Sequence, residues 1–438
     1  MKKTSWWILG AFALFCGTFL ASPGLQILLE KSGFWVWRNQ SIMLTGVAAL
    51  VFMTLTMLIA IRPAWLDRAT GGLDKAYGLH KWAGIFASIT LILHWLGEKG
   101  PKWMVQAGWL ERPIRAGSKG EAPWWFELGK TLGEWGFYAL LVLVVVALFQ
   151  RIPYRFFRYI HKALAVVFVA GAFHAVTMLP ASWWQTPAGF IVAALALGGT
   201  IAAFLSLAQR IGATRKTKAT ISEITLHANG LIDLSVKLSE KGMAHRPGQF
   251  AFLTFNSAEG PHPFTIASPG DDPHQVRFVI KPLGDFTRTL AAHLQTGQIV
   301  QLEGPYGQFD FRSDAARQVW VAGGIGITPF LAQLEHLAQQ EKPQQNIDLW
   351  YCVKTRQEAN FPPNLDELCQ RAGITLHRTV AEDEQRLDAK QIKQQIQDLS
   401  RASVWFCGPQ GFAQSLKKNL LQLGLSDQLF HSERFAMR

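Results

Sequence analysis

His80-Lys-Trp-Ala-Gly-Ile-Phe-Ala-Ser-Ile-Thr-Leu-Ile-Leu-His94 and His161-Lys-Ala-Leu-Ala-Val-Val-Phe-Val-Ala-Gly-Ala-Phe-His174 decide how this 438-residue chain is read. These are the only four histidines in the first 212 residues, and each pair brackets an apolar run. Read as helices rising 1.5 Å per residue, each pair spans roughly 20 Å, about two-thirds of a bilayer core. An imidazole in hydrocarbon is costly, so such a group marks a functional position. Two helices each carrying a histidine near either membrane face can clamp two stacked b-type haems, the parts of an electron wire. The plainer alternative is bundle-facing imidazoles hydrogen-bonded to neighbouring helices. Four of them, paired at matching depth with no others in this half, argue against it. Fourteen residues at 100° each bring His94 to within about 40° of His80, on one face. Thirteen leave His161 and His174 about 140° apart, which tilt, supercoiling or a local change of winding has to absorb.

Working outward, the long apolar runs stop near residue 208, and 14 of the 17 tryptophans precede that point. Six spans are expected, at about 6–21, 41–61, 77–96, 133–149, 157–179 and 189–207, the first and fourth being short. The histidine pairs fall in the third and fifth. Tryptophans near the span ends fit interfacial belts. On one side lie Lys2, Lys3, Arg62, Arg68, Lys75, Lys81, Arg151, Arg155, Arg158, Lys162, Arg210, Arg215, Lys216 and Lys218, against only Asp67 and Asp74. The positive-inside rule then predicts a multi-pass membrane protein with both termini cytoplasmic. His80 and His161 fall near the inner face, His94 and His174 near the outer one. The outer loop at about 97–132 reads as a solvated connector or a lid. Much of the net charge of +12 is this membrane bias, and no nucleic-acid module is visible. Cys16, Cys352, Cys369 and Cys407 show neither metal spacing nor a disulfide framework.

After Lys218 short alternating strands replace the apolar runs. Thr220 to Leu226 and Leu231 to Leu238 read as a hairpin around Asn229-Gly230. Strands over 249–255, 264–268, 276–281 and 299–302 complete a small antiparallel barrel. From Gln318 the texture is α/β: a buried strand, Val319 to Ala322, runs into Gly323-Gly324-Ile325-Gly326-Ile327-Thr328-Pro329 and then a helix. Small residues let backbone N–H groups approach a pyrophosphate, and the helix N-terminus favours negative charge. The loop lacks the third glycine of G-x-G-x-x-G, and tight turns also need glycine, so alone it is weak evidence. The domains expected are a helical membrane domain at 1–212, a β-barrel at 213–314 and an α/β domain at 315–438.

His262-Pro263-Phe264-Thr265-Ile266-Ala267-Ser268, Gly284-Asp285-Phe286-Thr287, Gly304-Pro305-Tyr306-Gly307, the Gly323 to Phe330 loop and Cys407-Gly408-Pro409 occur in one order. That order resembles the ferredoxin-NADP reductase-like flavoprotein module. With the paired histidines, nearly the whole chain resembles the NADPH oxidase and ferric reductase superfamily, in a compact bacterial form.

The resemblance implies that His80, His94, His161 and His174 ligate two b haems. It implies that His262, Pro263, Phe264 and Thr265 bind FAD, with Lys281 and Thr287 on its pyrophosphate. Gly323, Gly324, Gly326 and Thr328, with Gly408 and Pro409, would hold NAD(P)H, and Cys407 would sit beside the nicotinamide. Phe435, in Glu433-Arg434-Phe435, would stack on the flavin, although this chain runs on for three more residues. Lys354 and Arg356 follow the strand 349–353, where two cations could pair a 2′-phosphate; they favour NADPH over NADH. Arg38 could stabilise developing superoxide beside the outer haem, or anchor the helix by snorkelling. The implied activity carries electrons from cytosolic NAD(P)H through FAD and the haems to an acceptor outside. Molecular oxygen is favoured, with ferric chelates, a partner protein or a quinone as alternatives.

Overall fold

A computed structural model describes residues 3–112, 122–148, 154–239, 241–257, 259–340 and 346–433. The chain divides into two compact units, residues 1–71 with 75–212, and residues 72–74 with 213–438. The first is helical: α1 (Lys3–Leu20), α2 (Gly24–Glu30), α3 (Phe34–Ala60), α4 (Ala64–Thr70), α5 (Leu73–Gln106), α6 (Trp124–Leu148), α7 (Tyr154–Thr177) and α8 (Pro187–Leu207). The breaks fall at residues that cannot continue a helix. Pro23-Gly24 bends the chain by 56° between α1 and α2, Pro63 follows Arg62 at φ 51°, and Pro187 opens α8.

α7 packs between α6 and α8, and α3 lies against α8 and α1. α8 turns its small residues Ala188, Val192, Ala196, Gly199 and Ala203 into the bundle. A Cβ on Gly199 would lie 2.1 Å from the Phe168 ring, so glycine is what lets these two helices approach. Midway along α5, Phe86 stacks on Phe52 at 5.3 Å, and Phe12 closes edge-on against both.

Six membrane-crossing helices were expected, and the count differs. Among the described residues four helices are long and apolar enough, Phe34–Ala60, Trp124–Leu148, Phe156–Thr177 and Pro187–Leu207, with a fifth if the bent pair at the start is one span. α5 covers the expected third span but carries His80, Lys81, His94, Glu98, Lys99 and Lys102, and it falls outside that count. It also runs ten residues past Leu96, through Pro101, so much of the expected outer connector is helical. Ion pairs from Glu98 to Lys102 and from Lys99 to Glu134 of α6 accompany that extension.

The second unit holds two sheets. The first is antiparallel, in the order β4 (His262–Thr265), β3 (Phe250–Thr254), β6 (Ile299–Tyr306), β1 (Lys216–Leu226), β2 (Ile232–Leu238) and β5 (Gln275–Ile280). An Ile266–Phe278 bridge links its two outer strands. The β1–β2 hairpin forms as expected around a five-residue loop, with Leu226 opposite Ile232 and Gly230 at φ 80°. The second sheet is parallel: β11 (Phe430–Ser432), β10 (Ala402–Cys407), β7 (Arg317–Gly323), β8 (Asn346–Val353) and β9 (Thr375–Val380). β10 is buried along its whole length, as a central parallel strand covered on both faces should be. Five short helices belong with this unit: α9 (Asp285–Leu290) after β5, α10 (Thr328–Ala338) after β7, α11 (Arg356–Ala359) and α12 (Leu365–Ala372) between β8 and β9, and α13 (Ala389–Gln395) before β10. A sixth, α14 (Gln410–Gln422), follows β10. An aromatic cluster of Phe309, Phe311, Trp320, Phe330 and Trp405 ties the connector after β6 into the core of this lobe.

Candidate functional site

In the helical unit the four histidines meet in two pairs. His80 of α5 faces His161 of α7 with ring centroids 6.0 Å apart, and His94 faces His174 at 6.2 Å. The ring planes of the second pair are perpendicular, at 90°, and those of the first cross at 61°. Three imidazoles are tethered by a backbone carbonyl. His80 Nδ1 donates to Thr56 O at 3.1 Å, His94 Nδ1 to Ile42 O at 3.0 Å and His174 Nδ1 to Gly129 O at 3.0 Å. A proton held at Nδ1 leaves Nε2 with its lone pair free, the state a metal ligand requires. Thr56 and Ile42 both lie on α3, with the same spacing as His80 and His94 on antiparallel α5.

Room for the rings comes from glycines. A Cβ on Gly133 would sit 2.3 Å from His174 Nδ1, and one on Gly46 would sit 3.2 Å from His94 Cε1. Nothing in the sequence reading singled these out, since a glycine in an apolar helix looks like ordinary close packing.

Arg38, at the start of α3, is fully engaged. Its Nε donates to Gly97 O at 3.0 Å, its Nη1 to Asn39 Oδ1 at 3.0 Å, and it forms an ion pair with Glu98. Glu98 lies one turn beyond His94 on α5, so Arg38 ties α3 to α5 beside that histidine.

In the second unit His262, Pro263, Phe264 and Thr265 make up edge strand β4, with Thr265 opposite Phe250 and buried. The His262 ring stacks on Phe286 at 4.0 Å with planes 6° apart, which joins two of the expected flavin segments. Thr287 Oγ1 accepts from the N–H groups of Leu283 and Gly284, both at 3.0 Å, and so caps α9.

Lys281 Nζ lies 2.6 Å from Glu358 Oε1 and 4.0 Å from where a Cβ on Gly324 would stand. It therefore reaches the glycine loop of the parallel sheet. Burial pushes the Glu358 carboxyl up, but the hydrogen bonds from Lys281 and the Lys354 N–H hold it below the usual range.

The glycine loop turns at the end of β7 into α10, with Pro329 in its first turn. Its glycines have different reasons. A Cβ on Gly326 would meet Cys407 O at 2.1 Å, and one on Gly323 would meet Pro409 at 2.7 Å. Those two let the ends of β7 and β10 touch, and Gly408 completes the contact. Gly324, at φ 57°, is the one turned toward Lys281. Thr328 Oγ1 donates to Ile325 O at 2.8 Å, inside the turn.

Cys407 is wholly buried at the end of β10, and burial, then the nearby Glu433 carboxylate, push its thiol well above the usual range. It is a neutral thiol here, suited to packing beside a ring. Glu433 Oε1 also lies 3.1 Å from where a Cβ on Gly307 would stand. Glu433 thus joins the end of β10 to the Gly304–Gly307 segment, and Phe435 two residues on lies outside the described residues.

Arg356 is not an open cation. Its Nε donates to Asp383 Oδ1 at 2.9 Å and its backbone N–H to Glu382 Oε2 at 3.1 Å. Lys354 is drawn in through its backbone, whose carbonyl accepts from Glu382 N at 3.0 Å. The carboxylates beside these cations come from after β9, about 27 residues further on, and the sequence reading passed them over.

Comparison with known families divides the chain similarly. Residues 45–172 match the ferric reductase like transmembrane component, a stretch that takes in His80, His94 and His161. Residues 215–310 match an FAD-binding domain, and 320–418 the oxidoreductase NAD-binding domain. A superoxide-generating NADPH oxidase heavy chain of Dictyostelium discoideum is 27% identical over 48% of this chain and 32% of its own length. The anthranilate 1,2-dioxygenase electron transfer component of Acinetobacter baylyi is 24% identical over 50% of this chain and 66% of its own. The chain spans between about a third and two-thirds of the length of these relatives. Among solved structures, the flavohem-like FAD/NAD-binding domain of a Vibrio cholerae nitric oxide dioxygenase matches at a TM-score of 0.44. It is 20% identical, over 50% of this chain and 97% of its own.

The chain thus joins a ferric reductase like transmembrane component to an FAD-binding domain and an oxidoreductase NAD-binding domain. In this combination the chain is similar to the NADPH oxidase and ferric reductase superfamily.

Proposed function

We propose that this protein carries electrons from NAD(P)H on one side of a membrane to molecular oxygen on the other, releasing superoxide. The observation that carries the reading is the pair of facing imidazoles at two levels, 6.0 and 6.2 Å between centroids. Two metal–nitrogen bonds of about 2 Å, with about 1.1 Å from each nitrogen to its ring centre, add to roughly 6 Å. The four residues therefore fit two bis-imidazole haems, one held by His80 and His161, the other by His94 and His174. When bound, FAD would supply hydride acceptance from NAD(P)H and the haems one-electron carriage.

The residues of this chain do the rest. The β4 strand and the His262–Phe286 stack shape the flavin cleft, Thr265 faces the isoalloxazine, and Thr287 holds the α9 turn beside the pyrophosphate. Lys281 reaches the FAD pyrophosphate, and Gly324 and the α10 N-terminus receive the NAD(P)H phosphates, with Gly323, Gly326, Thr328, Gly408 and Pro409 shaping that loop. Cys407 and Glu433 wall the nicotinamide site, and Phe435 closes the flavin. The domains run 1–212, 213–314 and 315–438. The Ile266–Phe278 bridge supports reading the first sheet as a closed barrel. α5 supplies a further span despite its charges, because its histidines face the bundle. The basic residues put both termini in the cytoplasm of a multi-pass inner-membrane protein.

The engagement of Arg38 with Glu98 favours a second reading of the exit. A neutralised arginine offers oxygen little, and positions the helix of His94 instead. An exit without a dedicated oxygen site would serve ferric chelates as well. NADPH-driven cytochrome c reduction by the purified protein, in air and under argon and with and without superoxide dismutase, separates the two. Superoxide production predicts loss of signal with dismutase and under argon. Ferric-chelate reduction that is faster under argon and indifferent to dismutase would reverse the assignment.

A further inference from the structure

His161 is the exception among the four histidines. Among the described residues its Nδ1, although buried, has no hydrogen-bond partner, whereas the other three imidazoles each hold a backbone carbonyl. Its ring lies instead against Phe157, one helical turn earlier on α7, with centroids 5.0 Å apart and planes 27° from parallel. Residues four apart share a helix face, so this stack is local to α7 and independent of the neighbouring helices.

We propose that Phe157 is the positioning residue of the His161 imidazole, doing by stacking what a carbonyl does for the other three. The inference rests on reading the four histidines as haem ligands. A carbonyl tether fixes both the plane and the tautomer of a ligating imidazole and raises its basicity, and losing such a partner typically costs about 10–100-fold in metal affinity. An aromatic face restrains the plane alone. The two sites are therefore unequal. The His94–His174 site has two tethered ligands and holds its haem firmly. The His80–His161 site has one, and releases its haem first. Release of His161 from the iron is an exchange of a neutral ligand, with no net electron transfer.

The test uses the full chain purified in detergent, followed by low-temperature electron paramagnetic resonance of the ferric haems and by transfer of haem to apomyoglobin. The H161L and H174L variants assign one low-spin signal to each site. In the unaltered protein transfer should be biphasic, the fast phase removing the signal that H161L lacks. A single phase, or a fast phase that removes the signal that H174L lacks, would overturn the proposal. Phe157→Leu keeps the apolar volume without a ring face and should speed the fast phase about tenfold, leaving the slow one unchanged. Phe157→Trp should restore the original rate. An unaltered fast phase in Phe157→Leu would equally reject the role of the stack. Unaltered protein that binds no haem at all would reject the ligand assignment itself, which is a separate outcome.

Discussion

Read as haem ligands, the imidazoles of the two pairs each need a facing partner, a restraint behind and space to stand in. The pairing was legible, because histidine is rare in apolar helices and two pairs at matched spacing are rarer still. The restraint was not. Thr56, Ile42 and Gly129 act through their carbonyl oxygens, which every residue type possesses, so nothing in their side chains announces the contact. The space was not legible either, since Gly46 and Gly133 resemble the other glycines of the bundle. Gly133 is the more exacting of the two, because its added Cβ would stand 2.3 Å from His174 Nδ1 against 3.2 Å from His94 Cε1 at Gly46. Overpacking of this kind costs about 1–3 kcal/mol where the neighbour cannot move. Gly133→Ala should therefore lose the haem of His94 and His174, or bind it at least tenfold more weakly. Gly46→Ala, which asks only a few tenths of an ångström, should keep both. Haem content by the pyridine haemochrome assay checks this, and equal retention by both variants would show that the clearance is unimportant.

At the scale of elements, strands β1 to β8 stood close to where alternation and apolar runs put them. The edges moved: β4 begins at His262 rather than Phe264, and β6 runs on to Tyr306. β11, only three residues long, carries too little pattern to announce itself and exists because it pairs with β10. The nucleotide end shows why local sequence was insufficient. Lys354 and Arg356 follow β8 and looked like two cations awaiting a phosphate, but the parallel sheet places the end of β9 beside them. Asp383 and Glu382 arrive there from a distance in sequence and neutralise Arg356. A 2′-phosphate would have to displace the Asp383 carboxylate, whereas a 2′-hydroxyl could donate to it. The expected preference for NADPH is thereby weakened. Asp383→Asn should raise the ratio of kcat/KM for NADPH over NADH by only about threefold, because an exposed ion pair is weak. No change in the ratio, or a fall, would mean that Arg356 does not face the 2′ position.

The whole molecule joins two self-contained units with different chemistry, and that division shows in composition alone: tryptophan and long apolar runs before residue 208, short strands and a glycine loop after it. The number of spans was less legible. A helix that carries two imidazoles and a charged C-terminal end cannot also be uniformly apolar, so α5 reads as a span by position and as a polar helix by content. Its burden of function and its weak hydropathy have the same origin. The separation of units also makes a sharp prediction. The residues proposed to hold flavin and nicotinamide all fall within residues 213–438, while the four histidines lie within the helical unit. Removing one outer ligand should then leave hydride acceptance intact and stop electron delivery to the far side. In His94→Leu, anaerobic bleaching of the flavin by NADPH should proceed at the rate of the unaltered protein. Soret absorbance should fall to about half, and steady reduction of any acceptor on the far side should fall at least a hundredfold. If acceptor reduction instead persisted at full rate, electrons would be leaving directly from the flavin, and the helical unit would serve as an anchor rather than a wire.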